Sequence, residues 1–345
     1  MKKRIYVLFL LLMMLINLSA QQKDGTYTFL NVTNSARVAA LGGVMLPIYD
    51  SDIQLSTFNP SLINPEMNNS MSLSYVDYFN DINFGTVQYG HSFEKIGSFV
   101  GTIQYHNYGD FFYSDESGNI DNNQFSVSDY AVYLGWGRQL NDRISIGANL
   151  KFGGIQYEDN TSFALAVDLA ATYKTKSDWI FSLAARNIGR ELHNNYQSFI
   201  NELPFRMQVG ASKSLEHLPF TIIVVYDNLQ KWDLSYYDPL DLEGNYDPMT
   251  GEYVEKNKVD KFAKNLFSHF VFAGELNLGK NLSIRLGYNY GYRQTMKSPT
   301  RKGVVGCFRI FLGQSSPPAP AWHLLPLSRL NNSEIGIGRR SAGVA

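Results

Sequence analysis

Six histidines, one cysteine and a scatter of carboxylates are the groups in this chain that could do chemistry. The histidines are His91, His106, His193, His217, His269 and His323. None forms the i, i+4 pair with an intervening Glu that puts two imidazoles on one helix face for zinc. No Gly-x-Ser-x-Gly elbow presents a nucleophilic serine. Cys307 stands alone, which leaves neither an intramolecular disulfide nor a cysteine-based zinc site. The triplet Gly135–Trp136–Gly137 does not precede a helix, so it cannot cradle a phosphate at a helix N-terminus. The stretch Asp241 to Asp247 has the look of a calcium loop, but the ligand spacing of an EF-hand is absent. These patterns point to a protein that is not an enzyme and takes no cofactor or metal.

One group of ionisable residues does follow a rule. Arg143, Lys151, Asp168, Arg186, Arg206, Glu275 and Arg285 fall on the polar side of stretches that alternate with a period of two. In "RISIGANLKF", Ile144, Ile146, Ala148, Leu150 and Phe152 share one face. Arg143, Ser145, Gly147, Asn149 and Lys151 share the other. Successive side chains of a strand point to opposite faces, so this is a strand with one apolar and one polar side. "NLSIRLGYNYGYR", from Asn281 to Arg293, repeats the pattern.

About twelve such strands are expected, near Met71–Tyr78, Asn83–Gly90, Gly97–His106, Asp129–Arg138, Arg143–Gly154, Ser162–Tyr173, Asp178–Asn187, Pro204–Lys213, Phe220–Asn228, Ser268–Leu278, Asn281–Tyr292 and Gly303–Leu312. Many run to about ten residues, the length of a tilted strand that crosses a bilayer. Tight links at Ser92–Ile96, Gln139–Asp142, Lys174–Ser177, Ser214–Pro219 and Gly279–Lys280 alternate with longer ones, and only the first hairpin, Phe79–Ile82, is short where a long loop is expected. The longer links are Asn107–Ser128, Ile155–Thr161, Ile188–Leu203, Leu229–Phe267 and Arg293–Lys302. An outer-membrane barrel alternates short periplasmic turns with longer outer loops in this way. Aromatic residues near strand ends, among them Tyr75, Trp136, Tyr173 and Trp179, suit the two membrane–water interfaces. No propeller-like repeat supports a soluble all-β alternative.

The fold class that follows is all-β: a transmembrane antiparallel β-barrel of 12–14 strands with an N-terminal hatch-like segment and an irregular C-terminal tail. Residues 1–20 read as a signal peptide, with Lys2, Lys3 and Arg4 before an apolar run and cleavage near Ala20. Residues 21–70 lack a strand period and read as the hatch, because a barrel of this size needs its lumen filled. Residues 71–312 read as the barrel, and 313–345 as the irregular tail. The 345 residues carry a formal net charge of -1, which excludes the basic field of a nucleic-acid binder. Mean hydropathy is -0.20, and this does not exclude a barrel, since lipid-facing and lumen-facing residues cancel in an average.

Inside the barrel, the seven charged residues are expected to pair with one another or meet water. Outside, two long links are the natural contact surface. One carries Asp110, Phe112 and Tyr113; the other carries Trp232, Tyr236, Tyr237, Tyr246 and Tyr253.

The stretch "SARVAALGG" (Ser35–Gly43), followed by "DSD" and "NPSLINP", resembles the N-terminal region of the FadL-like barrel superfamily. With "AVYLGWGRQLNDRISIGANLK", "LAARNIGRE", "LPFRMQVGASKSLEHLPF" and "DNLQKWDLSYYDP", the chain resembles more closely the PorQ family of the type IX secretion system of Bacteroidetes, over about Asn31 to Gly306. The resemblance implies an outer-membrane scaffold that anchors a PorZ-like surface protein beside the sortase PorU and the barrel PorV. There, cargo is cut and joined to anionic lipopolysaccharide. It implies no catalytic residue in this chain. The alternative is a FadL-type channel for hydrophobic small molecules, which a kinked strand or side opening and an apolar lumen pocket would favour and lumen charges would oppose.

The pattern fails after Gly306. Pro317, Pro318, Pro320 and Pro326 exclude ladder positions in a central strand, and no amphipathic strand with a terminal aromatic follows. A reading-frame shift near Gly306 would account for this, and for twelve strands where the superfamily usually has fourteen. Translating the other two frames tests it.

Overall fold

A computed structural model describes residues 27–78, 82–114, 118–195, 203–234, 258–278, 282–295 and 309–313. The expected signal peptide, the start of the hatch (21–26) and the tail beyond Gly313 lie outside the described residues.

Twelve strands form one sheet in sequence order, each antiparallel to the next. They are β1 (Met71–Asp77), β2 (Asn83–Phe93), β3 (Gly97–Ser114), β4 (Ile120–Asn141), β5 (Ile144–Tyr157) and β6 (Asn160–Lys174), followed by β7 (Trp179–Asn194), β8 (Arg206–Ser214), β9 (Phe220–Tyr226), β10 (Phe270–Leu278), β11 (Leu282–Asn289) and β12 (Arg309–Gly313). Among the described residues, β1 and β12 do not pair with each other. One N-terminal segment touches strands from β1 to β12. A flat sheet could not present all of them to one short segment, so the wall curls into a barrel around it.

The polarity of this wall is the reverse of a soluble protein's. Facing outward and exposed are Leu73, Val87, Ile103, Val132, Leu134, Leu150, Leu165, Leu169, Leu183, Val209, Ile222, Phe272 and Leu286. Facing inward and buried are Ser72, Gln88, Thr102, Gln104, Asn149, Lys151, Asp168, Thr172, Arg186, Gln208, Glu275 and Arg285. An apolar band around a polar interior suits a wall whose outer solvent is hydrocarbon. No helix among the described residues is long and apolar enough to cross a membrane.

The hatch is a chain of short capped turns. Ser35 caps helix α1 (Ala36–Ala40) by accepting from the Val38 N–H at 3.4 Å. Asp52, Asn59 and Asn64 cap three 3-10 turns, Ile53–Thr57, Pro60–Leu62 and Pro65–Met67, each accepting an N–H two residues on. Proline opens the last two, where its missing N–H costs nothing. Hatch residues Leu41, Val44, Leu46, Leu55, Phe58 and Leu62 pack against Ala184, Ile223, Val225 and Val271 of the wall. A second cluster sets Tyr27, Phe29 and Leu30 against Ala131, Ala164 and Ala166. Small inward residues make room for this. A Cβ on Gly147 would lie 2.2 Å from the Pro60 carbonyl oxygen, so only glycine lets the hatch backbone lie on β5.

Several expected loops differ. The link expected over Ile155–Thr161 is a two-residue turn at Glu158 and Asp159, with Glu158 at φ 56°. The link expected over Asn107–Ser128 is mostly ladder, running to Ser114 opposite Ile120 with bulges after Asn107 and Phe112. Stacked rings carry it: Phe111 faces Phe125 at 5.7 Å, and Phe125 meets Tyr113 at 4.9 Å and Tyr157 at 5.1 Å. Asp110, Phe112 and Tyr113 are therefore strand residues, not loop residues. Within Leu229–Phe267 the structure has a helix, α2 (Lys258–Ser268). β11 stops at Asn289, and Tyr290 and Tyr292 belong to helix α3 (Tyr290–Thr295) rather than to a strand face.

Candidate functional site

Six of the seven charged residues expected in the lumen lie on the hatch-facing side. Arg143 does not: it sits exposed in the turn between β4 and β5, one residue before the ladder begins. The inner six form three groups. Lys151 Nζ lies 2.7 Å from Asp168 Oδ2, with both side chains fully buried. Asp168 also accepts from Asn149 Nδ2 at 3.3 Å and from the Asn187 backbone N–H at 2.7 Å. Lys151 donates to Asn187 Oδ1 at 2.9 Å and lies over the Tyr133 ring. A buried ion pair offsets its desolvation only when its remaining hydrogen bonds are made, and here they are.

In the second group, Glu275 stands directly across the ladder from Arg285 and pairs with it at 2.9 Å. Glu275 also takes Arg37 of the hatch at 2.9 Å. Arg37 in turn reaches Asp50 at 2.7 Å and Asp52 at 3.1 Å. Burial by itself would push the Arg37 guanidinium down; the facing carboxylates of Asp50, Asp52 and Glu275 outweigh it and hold Arg37 well above its ordinary value. This group ties the hatch to β10 and β11. In the third, Arg206 faces Asp227 at 3.6 Å, and Arg186 lies over the Phe58 ring.

The sequence alone does not single out Arg37, Asp50, Asp52 or Asn187. The "DSD" at Asp50–Asp52 is the only hint, and nothing local says that its partner is fifteen residues back and on another turn. Asn187 sits at φ 56° in a bulge of β7, where the ladder to β6 skips between Val167 and Leu169.

Between the hatch and β1–β4 is a cavity of about 20 Å³, bordered by Asn34, Ser35, Gln54, Thr86, Gln88, Gln104 and Arg186 among others. Polar and apolar groups line it alike, with Leu30, Val32, Phe58 and Tyr133 completing its border, and it holds little more than one water.

Two histidines are buried. His106 is buried on the inner face beside Gln104 and stacks on Phe84. His269 is buried between Tyr226 and Trp232, its ring nitrogens facing the carbonyls of Asp227 and Trp232. Among the described residues no cluster of His, Cys, Asp and Glu could hold a metal ion.

At one rim, strands β3–β7 stand well above the rest. Phe111, Phe112, Tyr113, Ile120 and Tyr157 are exposed there, with Asp110 beside them. Trp232 is exposed at the same rim and packs on Phe262 of α2 at 5.3 Å. Tyr236, Tyr237, Tyr246 and Tyr253 lie outside the described residues.

No protein-family model matches the chain, and no curated protein matches it. Among solved structures the chain is similar to the toluene transporter TbuX of Ralstonia pickettii, at TM-score 0.43 and 10% identity, covering 75% of this chain and 86% of that one.

Proposed function

We propose that this chain is an outer-membrane barrel that works as a plugged scaffold, its tall wall holding a surface protein of the type IX attachment complex. The observation that carries the scaffold reading is the hatch seated inside the lumen among the described residues. Hatch side chains occupy the interior on three apolar contacts with the wall, and the cavity beside them has room for little more than a water. A hydrophobic cargo molecule would need an apolar pocket far larger than this.

The assignment to the type IX system rests on the resemblance of Asn31–Gly306 to the PorQ family. The membrane placement rests on the apolar outer band and polar interior. The exposed aromatic residues of the β3–β4 hairpin are of the type that anchors protein interfaces. β7 does carry a bulge at Arg186–Asn187, as a channel reading would ask. The Asn187 N–H groups in that bulge are taken up by Asp168, Asn31 and the Pro204 carbonyl.

The test is photo-crosslinking in native outer membranes, with the crosslinker at Phe112 or Tyr113 and a lipid-facing control at Leu165. Adducts to a large surface protein from the hairpin sites alone are the expected result. A barrel recovered without partner, with fatty acid bound inside, would overturn the scaffold in favour of the channel.

A further inference from the structure

The group around Arg186 is out of electrical balance. Three cations, Lys151, Arg186 and Arg206, project from β5, β7 and β8 into the interior, and two carboxylates, Asp168 and Asp227, lie among them. Lys151 takes Asp168 and Arg206 takes Asp227. Arg186, buried, has no carboxylate in ion-pair contact among the described residues. It also sits directly across the ladder from Arg206, a like-charge placement that is unfavourable without compensation. One Arg186 Nη reaches the Leu30 and Thr57 carbonyls only at 3.4 and 3.5 Å, and its Nε has no hydrogen-bond partner.

Arg186 borders the 20 Å³ cavity, and so do two other groups with unused capacity. Ser35 Oγ already accepts from the Val38 N–H, which leaves its hydroxyl hydrogen free to donate. The Asn34 amide donates to Thr86 and leaves its Oδ1 unpartnered. Turning that amide over, an assignment that oxygen and nitrogen positions do not themselves fix, lets the Thr86 hydroxyl donate to the oxygen. The amide nitrogen then takes the place of that oxygen, on a residue that borders the cavity. The neighbouring Arg37 group has the opposite excess, with Asp50, Asp52 and Glu275 against Arg37 and Arg285, but those charges are held in direct pairs.

We propose that the cavity is a halide site, holding a chloride-sized anion between the Arg186 guanidinium, the Asn34 amide and the Ser35 hydroxyl, and so joining hatch to wall. A buried cation with no counter-ion in contact is costly, and a monatomic anion offsets that cost where a water would not.

Crystals of the full chain grown in sodium bromide, measured at the bromine absorption edge, test this. An anomalous peak bordered by Arg186, Asn34 and Ser35, and lost in Arg186→Gln, is the expected result. Ordinary water density without an anomalous signal would overturn the proposal. A peak that persists in Arg186→Gln would mean an adventitious ion only, and would overturn it too. Thermal unfolding of the unaltered protein at matched ionic strength gives a check that needs no variant. In a constant background of sulfate, which is too large for the cavity, the midpoint should climb by a few degrees and level off as chloride or bromide is added; a midpoint indifferent to the halide would count against the site. If Arg186→Gln does not fold, Asn34→Ala in the bromide experiment serves in its place.

Discussion

The wall has two unequal halves. Strands β3–β7 run to 18, 22, 14, 15 and 16 residues. Strands β8–β11 run to 9, 7, 9 and 8. Crossing a bilayer takes about 9–11 residues of tilted strand. The short half sits at or just below that length, while the long half has a surplus of several residues per strand. That surplus carries the ring contacts of Phe111 and Tyr113 with Phe125, and ends in exposed aromatic residues. The two halves also differ inside. Lys151–Asp168 on the long half is fully buried and closed off by Asn149 and Asn187. Glu275–Arg285 on the short half opens onto Arg37, Asp50 and Asp52, where Asp50 is 36% exposed. The difference teaches that the long half closes its ion pair with residues of its own strands, while the short half depends on the hatch for its charge balance.

Breaking the pair on the long half should have the largest effect. Lys151→Met leaves Asp168 as a buried unpaired charge and should cost about 3–5 kcal/mol, read as a lower unfolding midpoint in detergent. An unchanged midpoint would mean that the interior is wetter than the packing implies.

Thinning the hatch comes next. Leu46→Ala removes a fully buried side chain from the contact with Ala184, Ile223 and Val225, and should cost about 2–5 kcal/mol. Limited proteolysis should then cut the hatch in the folded barrel. A hatch that stays protected would show that its hold comes from the Arg37 group instead.

On the short half, Asp50→Asn should cost at most about 1 kcal/mol, because the pair is partly exposed and Arg37 keeps Asp52 and Glu275. An effect as large as that of Lys151→Met would erase the contrast between the halves.

The smallest expected change in stability is at the tall rim. Replacing Phe112 with Ser, on an exposed position, should move the midpoint by no more than about 0.5 kcal/mol. The same change should weaken partner recovery from native membranes. A variant that loses stability but keeps the partner would make the rim a structural element rather than a docking surface.

Much of the wall is legible in the sequence because a period of two is a local property. Ser145, Asn149 and Lys151 face inward and Ile144, Leu150 and Phe152 outward, as alternation within one short stretch requires. Arg143 marks the limit of that rule: the period continues through it on paper, but the turn after Asn141 takes it out of the ladder. The hatch is legible from what it lacks, a strand period, and from the Asn-Pro steps that cap its turns.

Strand height is not legible. Asn107–Ser128 is polar and glycine-containing enough to pass for a loop, and it remains a hairpin because Phe111, Tyr113, Phe125 and Tyr157 meet across three strands. The Tyr113 hydroxyl also donates to Glu158, 45 positions on, and no short window of sequence contains both.

The sequence by itself determined an alternating all-β wall, its polar inner face and the non-strand segment ahead of it, because each is written in neighbouring residues. Only the tertiary structure decided which charges pair, that Arg37 bridges to Glu275 across 238 positions, and that the hatch leaves little more than a water's room beside Arg186. Pairing and packing depend on the curvature and register of the curled wall, and those are fixed by contacts between residues far apart in the chain.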